Sequence, residues 1–595
     1  MQKINHKTIS IVERFNAGEK EKALKEIEFL INSNEKNLDL LFIYTKMLIN
    51  VNQINKAISI LSKILLLEPK NKLAIEMIYS NLIKVKKFEK AEKYIDKLLK
   101  LKDIQYEVLR DKAYLRYLRN DIKESESFIN KALTLNPNEV FGLNILGLLK
   151  MQNKKINESI KIFEKAISID KNYIDSYNNI GKCYIDLENL NAAYLYFKKA
   201  YRINKKIDLP IINIANILSL KDKNKFAIKF LLKAKSLNTE NIIIDENIAM
   251  CKCRLKDFKW VQNYYNSTKN QNHQNYDFIL GYSYLLLSKY KFAEGFKLFD
   301  SRLLSNKFPE KNIYHKNILD KLIKEDEINP NNEILIIKEQ GVGDEILFSS
   351  MYYDLINHCK NLSIECDERL IKIFKRTYKN NIFFKYGYFS STKKNIKKFD
   401  KIIYAGSLTK YFRNNKSDFI SKKFLKSNVN IDNNIGEKLN KFNKTKKIGL
   451  SWKSVVNIYG GLKSLNLRDF EKIFNNDRTI INLQYGDVNK EINDLNNYGY
   501  KIYNFKDIDL FNDFDSVISI LKNLDIFVTV SNSTAHFAGA LGVPTILICP
   551  RKSSTYYYWD YEDGKTPWYK SVSVIKLESS INRTIDLVNK MIDKI

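Results

Sequence analysis

The segment IFVTVSNSTAHFAGALGVPTILICP, residues 526–550, decides how the carboxyl half of this chain is read. Its β-branched and aromatic opening, Ile526 to Val530, fits a buried parallel strand. The polar turn Ser531-Asn532-Ser533-Thr534 follows, then a short helix closed by Gly542 and stopped by Pro544. Thr545 to Cys549 reads as the next strand. A loop of hydroxyl and amide residues between a strand's carboxyl end and a helix start gathers unpaired backbone N–H groups. With the helix dipole, those donors suit a diphosphate. His536, one turn into the helix, can reach the same ligand. The alternative is that Asn532, Ser533 and Thr534 only cap the helix.

The same alternation extends outward from this segment. The strand IGLSW (448–452) ends in Lys453-Ser454, and Lys463-Ser464 precede a helix. The strand Thr479 to Leu483 ends at Gln484-Tyr485-Gly486-Asp487, and a helix starts at about Asp515. Alternating strands and helices imply a parallel sheet whose ligands collect at the carboxyl ends of the strands. Lys453, Gln484 and Ser531 to Thr534 should therefore converge on one crevice. Lys453 or Lys463 could neutralise a departing diphosphate, the alternative being solvated surface lysines.

Further upstream, EILIIK (333–338) reads as a first strand, followed by Glu339-Gln340-Gly341-Val342-Gly343-Asp344-Glu345 and a helix through His358. Gly341 and Gly343 permit a tight strand-to-helix turn, and the acids sit where a helix start favours negative charge. A third Gly and a later acid are missing for a dinucleotide fingerprint, and there is no GKS or GKT for a P-loop. Asp344 suits either a proton acceptor for a hydroxyl or a helix cap. Another strand is expected at Lys401 to Tyr404, and residues 304–330, with Pro309 and Pro330, read as a connector.

The amino half repeats. Ala23, Ala57, Ala91, Ser125, Ser159, Ala193 and Ala227 recur every 34 residues, as do Ala113, Gly147, Gly181, Ala215 and Ala249. A third register holds Ala132, Ala166, Ala200 and Ala234, and Pro69, Asp103, Pro137, Lys171, Lys205 and Thr239 share the phase of the repeat ends. Small residues at close helix crossings with a turn residue closing each unit are the signature of tetratricopeptide repeats. About eight or nine helix pairs fit within residues 1–303, forming a superhelix whose groove commonly holds a peptide. After Val261 the frame is expected to slip by two, placing Gly281 and Ala293 in a last unit ending near Arg302. Asn179, Asn213 and Asn247 are also 34 apart, and a ladder of amides there would grip a peptide main chain. An accidental trio in an Asn-rich chain is the alternative.

Composition narrows the classes. The 595 residues, 44% of them hydrophobic, are enough for two or more cored domains. No run approaches the roughly 18 apolar residues of a membrane span, and the start lacks a secretory pattern. A soluble cytoplasmic protein is expected. The net charge of +31, from 99 basic and 68 acidic residues, is mostly Lys spread along every segment. Without a recognisable nucleic-acid module, nucleic acid is not expected as a partner. Cys183, Cys251, Cys253, Cys359, Cys366 and Cys549 form no CxxC pair, consistent with a reducing compartment, and the five histidines form no zinc pattern.

The motifs GVGDEILFSS, GLSWKS, GLKSLNLRDF, INLQYGD and VSNSTAHFAGALGVP, taken in order, resemble the heptosyltransferase-like glycosyltransferases. The resemblance is to the bacterial branch fused to tetratricopeptide repeats and spans about residues 331–572. The overall layout, with its asparagine ladder, is similar to the O-linked N-acetylglucosamine transferases. The resemblance implies an all-α tetratricopeptide superhelix followed by an α/β GT-B unit of two Rossmann-like lobes. The amino lobe, 331–430, would carry the acceptor side and the catalytic base; the carboxyl lobe, 445–595, would bind a nucleotide sugar.

Carried over by motif, Gly343-Asp344 holds the catalytic base of a metal-independent, inverting transfer, and Lys453 is the phosphate-contacting lysine. Ser531, Asn532, Ser533 and Thr534 surround the donor diphosphate, with His536 as that motif's histidine. Two departures stand out. The family usually has Asp-Thr-Gly or Asp-Thr-Ser where this chain has Ser531-Asn532-Ser533, and its ribose-binding acid is replaced by Gln484 unless Asp487 serves. Heptose specificity is not carried over.

The implied function is transfer of a sugar from a nucleoside diphosphate to a hydroxyl acceptor, on a protein or peptide in the repeat groove. Neither a metal nor a cofactor is expected beyond the nucleotide-sugar co-substrate. One rival is a metal-dependent GT-A enzyme built on Asp507-Ile508-Asp509 or Asp513-Phe514-Asp515, although both sites fit helix caps. Another is a repeat scaffold with a degenerate transferase domain. A third keeps the enzyme but gives it a lipid-linked or polysaccharide acceptor, with the positive charge meeting a membrane surface. Tyr556 to Trp559 and Trp568-Tyr569 could stack on a sugar or base, or pack against the adjoining lobe.

Overall fold

The computed structural model describes residues 6–100, 106–270, 275–305, 328–380, 382–389, 396, 398–419, 423–454, 463–549, 555–561, 563–577 and 580–595. Most of the expected connector, including Pro309, lies outside the described residues, as do Asp103 and the Gly461-Leu462 start of one motif. Among the described residues, no helix is long and apolar enough to cross a membrane. The chain divides into two compact units, 1–205 and 206–595. The division falls inside the repeats: six helix pairs belong to the first unit, while the last three cluster with the α/β part.

The nine described pairs run from His6–Asn16 with Lys20–Ser33 to Tyr276–Ser288 with Phe292–Phe299. Their small residues have a steric cause. A Cβ on Gly147 would stand 2.4 Å from the ring of Phe163, and one on Gly181 the same distance from Phe197. Where serine replaces alanine it bonds to the partner helix: Ser125 Oγ donates to the Ala113 carbonyl and Ser159 Oγ to that of Gly147, each at 2.7 Å.

The turn inside each pair takes one left-handed residue, Gly18 first and then Asn52, Lys86, Asn120, Lys154, Glu188, Asp222, Lys256 and Tyr290, every 34 positions. The expected slip after Val261 therefore does not occur. The frame runs unbroken through Ser283 and Gly295, where Ser283 Oγ donates to the Gly295 carbonyl at 2.9 Å.

The α/β part holds two parallel sheets. The first has the order β3-β2-β1-β4, with β1 at Glu333–Ile337, β2 at Asn361–Cys366, β3 at Phe383–Lys385 and β4 at Lys401–Tyr404. The second has the order β10-β9-β8-β5-β6-β7. Its strands are β5 (Lys446–Ser451), β6 (Arg478–Asn482), β7 (Ile502–Tyr503), β8 (Ile526–Val530), β9 (Thr545–Cys549) and β10 (Val572–Lys576). Numbered from its own first strand, the second sheet is 3-2-1-4-5-6, the doubly wound order. The first sheet repeats its 3-2-1-4 core. β9 is therefore not the last strand of the fold, since β10 pairs outside it.

The last helix pair belongs to the same core as the sheets. Leu287, Phe292, Phe296 and Phe299 are buried in one cluster with residues of both lobes. Tyr284 stacks on Tyr557 at 5.2 Å, Tyr290 on Tyr561 at 5.0 Å, and Phe292 meets Phe419 at 4.7 Å. The aromatic run at 556–559 is thus largely buried, partly against the terminal repeat.

Candidate functional site

β1 ends at Ile337, and the chain turns through Gln340 at φ +62° into the helix Val342–Ser349. The left-handed residue of this turn is Gln340, not a glycine. Gly343 is required for space: a Cβ there would stand 2.8 Å from Cδ2 of His536 and 3.5 Å from the Ser533 Cα. The amino-lobe turn and the helix Ser533–Leu541 therefore touch backbone to ring. A cavity of about 200 Å³ lies at this junction, lined by Gly341 to Asp344 and Arg369 on one side and by Lys463, Tyr485, Ser531 to Ser533 and His536 on the other.

Asp344 closes the helix start with one carboxyl oxygen and buries the other. Oδ2 accepts from the Gly341 N–H at 3.2 Å, which closes the helix start. Oδ1 is sealed from solvent, and beyond a weak interaction of the carboxyl with the Tyr558 hydroxyl it has no partner among the described residues. Dehydration pushes the carboxyl up to about 6, with the Gly341 N–H and the Tyr558 hydroxyl holding it down, Glu339 pushing it up and Lys463 opposing. An acid in that range is poised to accept a proton near neutrality.

The lysine facing it is Lys463. It is only 3% exposed, its Nζ lies 3.9 Å from the Tyr556 ring centroid, and burial lowers its pKa to about 8. Lys453 does not line this cavity. Its ammonium pairs with Glu491, and its N–H donates to Gln484 Oε1 at 2.7 Å. Gln484 is a brace rather than a ribose ligand: it is buried, and Oε1 also accepts from Ser451 Oγ at 3.0 Å and the Trp452 N–H at 2.9 Å.

Asn532 caps the helix, Oδ1 accepting from the Ala535 N–H at 3.1 Å, while Nδ2 donates to Ser451 Oγ at 2.8 Å. It thereby ties β8 to β5 at the point where the strand order reverses. Ser531 and Ser533 line the cavity; Thr534 is buried and does not. His536 is buried, its Nδ1 lies 3.0 Å from the Tyr569 hydroxyl, and burial lowers its pKa to about 3, so the ring is neutral.

The asparagine trio does not behave alike. Asn179 is buried, and one donor of its amide nitrogen is spent on Asn144 Oδ1 at 2.9 Å. Asn213 and Asn247 are half-buried at the equivalent helix position. Both Asp-x-Asp sites are used locally: Asp507 pairs with Lys438, Asp509 accepts from the Phe511 N–H, Asp513 caps its helix and Asp515 pairs with Arg376. Among the described residues, no cluster of His, Cys, Asp or Glu could hold a metal ion.

Sequence reasoning missed Arg369, which lines the cavity, and Glu339 and Arg302, which pair behind it, and it did not single out Tyr558 within its aromatic run. Glu339 stood beside the singled-out glycines, and Tyr558 lay in the aromatic run, but nothing local marked Arg302. A second cavity, of about 620 Å³, is lined by Asn224, Arg254 and Tyr284 of the last repeats and by Asp560 and Lys576 of the carboxyl lobe. It shares Lys463 and Tyr556 with the first.

A family model of the tetratricopeptide repeat matches residues 142–173 and 174–207. The chain contains tetratricopeptide repeats. Protein FlbA of Caulobacter vibrioides is 27% identical over 259 residues, which are 40% of this chain and 42% of that protein. The chain thus spans about two fifths of the length of this curated relative. Among solved structures, the APC/C hetero-tetramer Cut9-Hcn1 is similar at 16% identity and a TM-score of 0.38, covering 51% of this chain and 58% of its own. A tetratricopeptide repeat protein from Parabacteroides merdae follows at 18% identity and a TM-score of 0.37, covering 41% and 98%.

Proposed function

We propose that this chain is a glycosyltransferase of GT-B type that moves a sugar from a nucleoside diphosphate to a hydroxyl acceptor without a metal and with inversion. One observation carries the reading: the Asp344 carboxyl, largely dehydrated, shares a cavity between two doubly wound lobes with Lys463 and the start of the helix Ser533–Leu541. In the reaction, the acceptor hydroxyl gives its proton to the Asp344 carboxylate as its oxygen bonds to the anomeric carbon. The bond from that carbon to the diphosphate oxygen breaks. The Lys463 ammonium and the N–H groups of the first helical turn take up the charge of the departing diphosphate.

The second cavity is where the acceptor approaches, since it opens between the last repeats and the carboxyl lobe and meets the first at Lys463 and Tyr556. A protein segment fits this approach better than a free sugar because repeat side chains form one wall.

The test is a thermal-shift screen of uridine, guanosine, thymidine, adenosine and cytidine sugar nucleotides on the purified chain. One nucleotide class should raise the melting temperature, and Asp344→Asn should keep that shift while losing turnover. Full turnover in Asp344→Asn would remove the base assignment. Silence towards every nucleotide sugar would favour a scaffold.

A further inference from the structure

The crevice between the first and fourth strands of the amino lobe holds a buried ion pair rather than an opening. Arg302, in the short turn Asp300–Leu304 that ends the last repeat, donates from Nε to Glu339 Oε2 at 2.8 Å and from Nη2 to Oε1 at 2.7 Å. It also donates to Ser407 Oγ at 2.9 Å, to the Phe299 carbonyl at 3.1 Å and to Asp300 at 2.7 Å. Glu339 is fully buried and takes a further bond from the Gly406 N–H. A two-pronged guanidinium–carboxylate pair of this kind fixes both distance and plane.

Glu339 is the residue before left-handed Gln340, and two residues on, the Gly341 N–H holds Asp344 Oδ2. We infer that Arg302 is a positioning residue for Asp344, fixing the 339–344 loop through Glu339 and offsetting the buried negative charge behind the carboxylate. This rests on the reading of Asp344 as the base.

The groups facing Asp344 leave few other candidates. On its own segment, Glu345 is paired with Lys338 at 3.1 Å and with the Asp367 N–H at 2.8 Å. The carboxyl lobe contributes Lys463, neutral His536 and the buried hydroxyls of Tyr557, Tyr558 and Tyr569, whose ionisation burial pushes far up. Tyr284 of the repeat is held protonated in the same way, and Arg369 across the cavity is occupied by Asp367 at 2.8 Å. Burial itself is the largest influence on Asp344, and Glu339 is the buried carboxylate that adds to it, with a partner that comes from the repeat. The terminal repeat thus completes the site, beyond any part it takes in holding an acceptor.

The experiment follows the titration of Asp344 in the full chain without any substrate. Melting temperatures of a protein and its Asp344→Asn counterpart are compared from pH 4.5 to 8.5, and their difference levels off once Asp344 is ionised. In Arg302→Met, Glu339 loses its counter-charge, and the levelling point should move up by about one pH unit. Adding Glu339→Gln should return it towards its original place, because the buried charge is gone. Arg302→Lys should leave the levelling point near that of the parent while lowering the melting temperature. If Arg302→Met fails to fold, Glu339→Gln alone serves, and it should move the levelling point down, an unmoved point overturning the inference. An unmoved levelling point in Arg302→Met, or a displacement that Glu339→Gln does not reverse, overturns the inference. Turnover surviving in Asp344→Asn instead overturns the catalytic reading and leaves this titration result standing.

Discussion

The two parallel sheets share the order 3-2-1-4, yet the crevices between their first and fourth strands are used in opposite ways. In the amino lobe the crevice is filled by the Arg302–Glu339 pair, with Ser407 and the Gly406 N–H completing it. In the carboxyl lobe the neutral side chain of Asn532 spans the crevice, and Ser531 to Ser533 open on a cavity. Topology creates a ligand-sized gap at both places. What occupies the gap decides whether it is closed by an ion pair or left open as a cavity.

The strongest way to break this comparison is at Asp344. Asp344→Asn should cut turnover by about 10²–10⁴-fold in a steady-state assay with the donor found by thermal shift. The same change should stabilise the fold at pH 7.5. Asp344 titrates at about 6 in the folded chain, above its ordinary carboxyl range. The ionised form therefore costs stability as pH rises through that value, by at most about 3 kcal/mol. Below pH 4 the two proteins should melt alike.

Next in size is the contrast between the crevices. Glu339→Ala removes the two-pronged partner of buried Arg302, leaving it Asp300 alone, and should cost about 3 kcal/mol in urea unfolding, whereas Asn532→Ala, the loss of a cap, should cost about 1–2 kcal/mol. Equal costs would mean that the two crevices are filled alike after all. Gly343→Ala should follow at about 1–3 kcal/mol, because its Cβ meets the His536 ring, and it should also abolish thermal stabilisation by nucleotides. Smallest is the lysine pair. Lys463→Met should weaken nucleotide binding about tenfold, about 1.4 kcal/mol, while Lys453→Ala, which loses only a partly exposed pair with Glu491, should leave binding in calorimetry unchanged.

The sequence made some of this legible and hid the rest for physical reasons. The strands at 401–404, 526–530 and 545–549 show as short β-branched runs between turn residues, and the structure has them at those positions. The repeat was visible because close helix crossings demand small residues at fixed phase. Its continuation past Val261 was hidden because Ser283 and Gly295 exchange the residue types of the earlier units, so the 34-residue register survives in the turns and not in the alanines.

At the site, Asp344, Gly343 and the 531–533 turn were readable because loop chemistry is local. The motifs favour Lys453 over Lys463 as the phosphate lysine, yet packing buries Lys463 at the cavity and turns Lys453 towards Glu491, which no motif announces. Gln484 looked like a ligand because it ends a strand, but three inward donors already occupy its oxygen. Arg302 lies 37 residues from Glu339, and no spacing rule links the end of a repeat to a strand end in another layer.

Eight consecutive turns of the helical array place an L-residue in the left-handed region. Asn52, Asn120 and Asp222 belong to the types that accept it most readily, while Lys86, Lys154, Glu188, Lys256 and Tyr290 bear a steric strain of about 1–2 kcal/mol each. Glycine would relieve that strain at the cost of a looser unfolded chain. The array therefore holds an untapped margin of thermal resistance, spread along its length in small equal steps that touch neither the cavities nor the lobes at Lys86, Lys154 or Glu188.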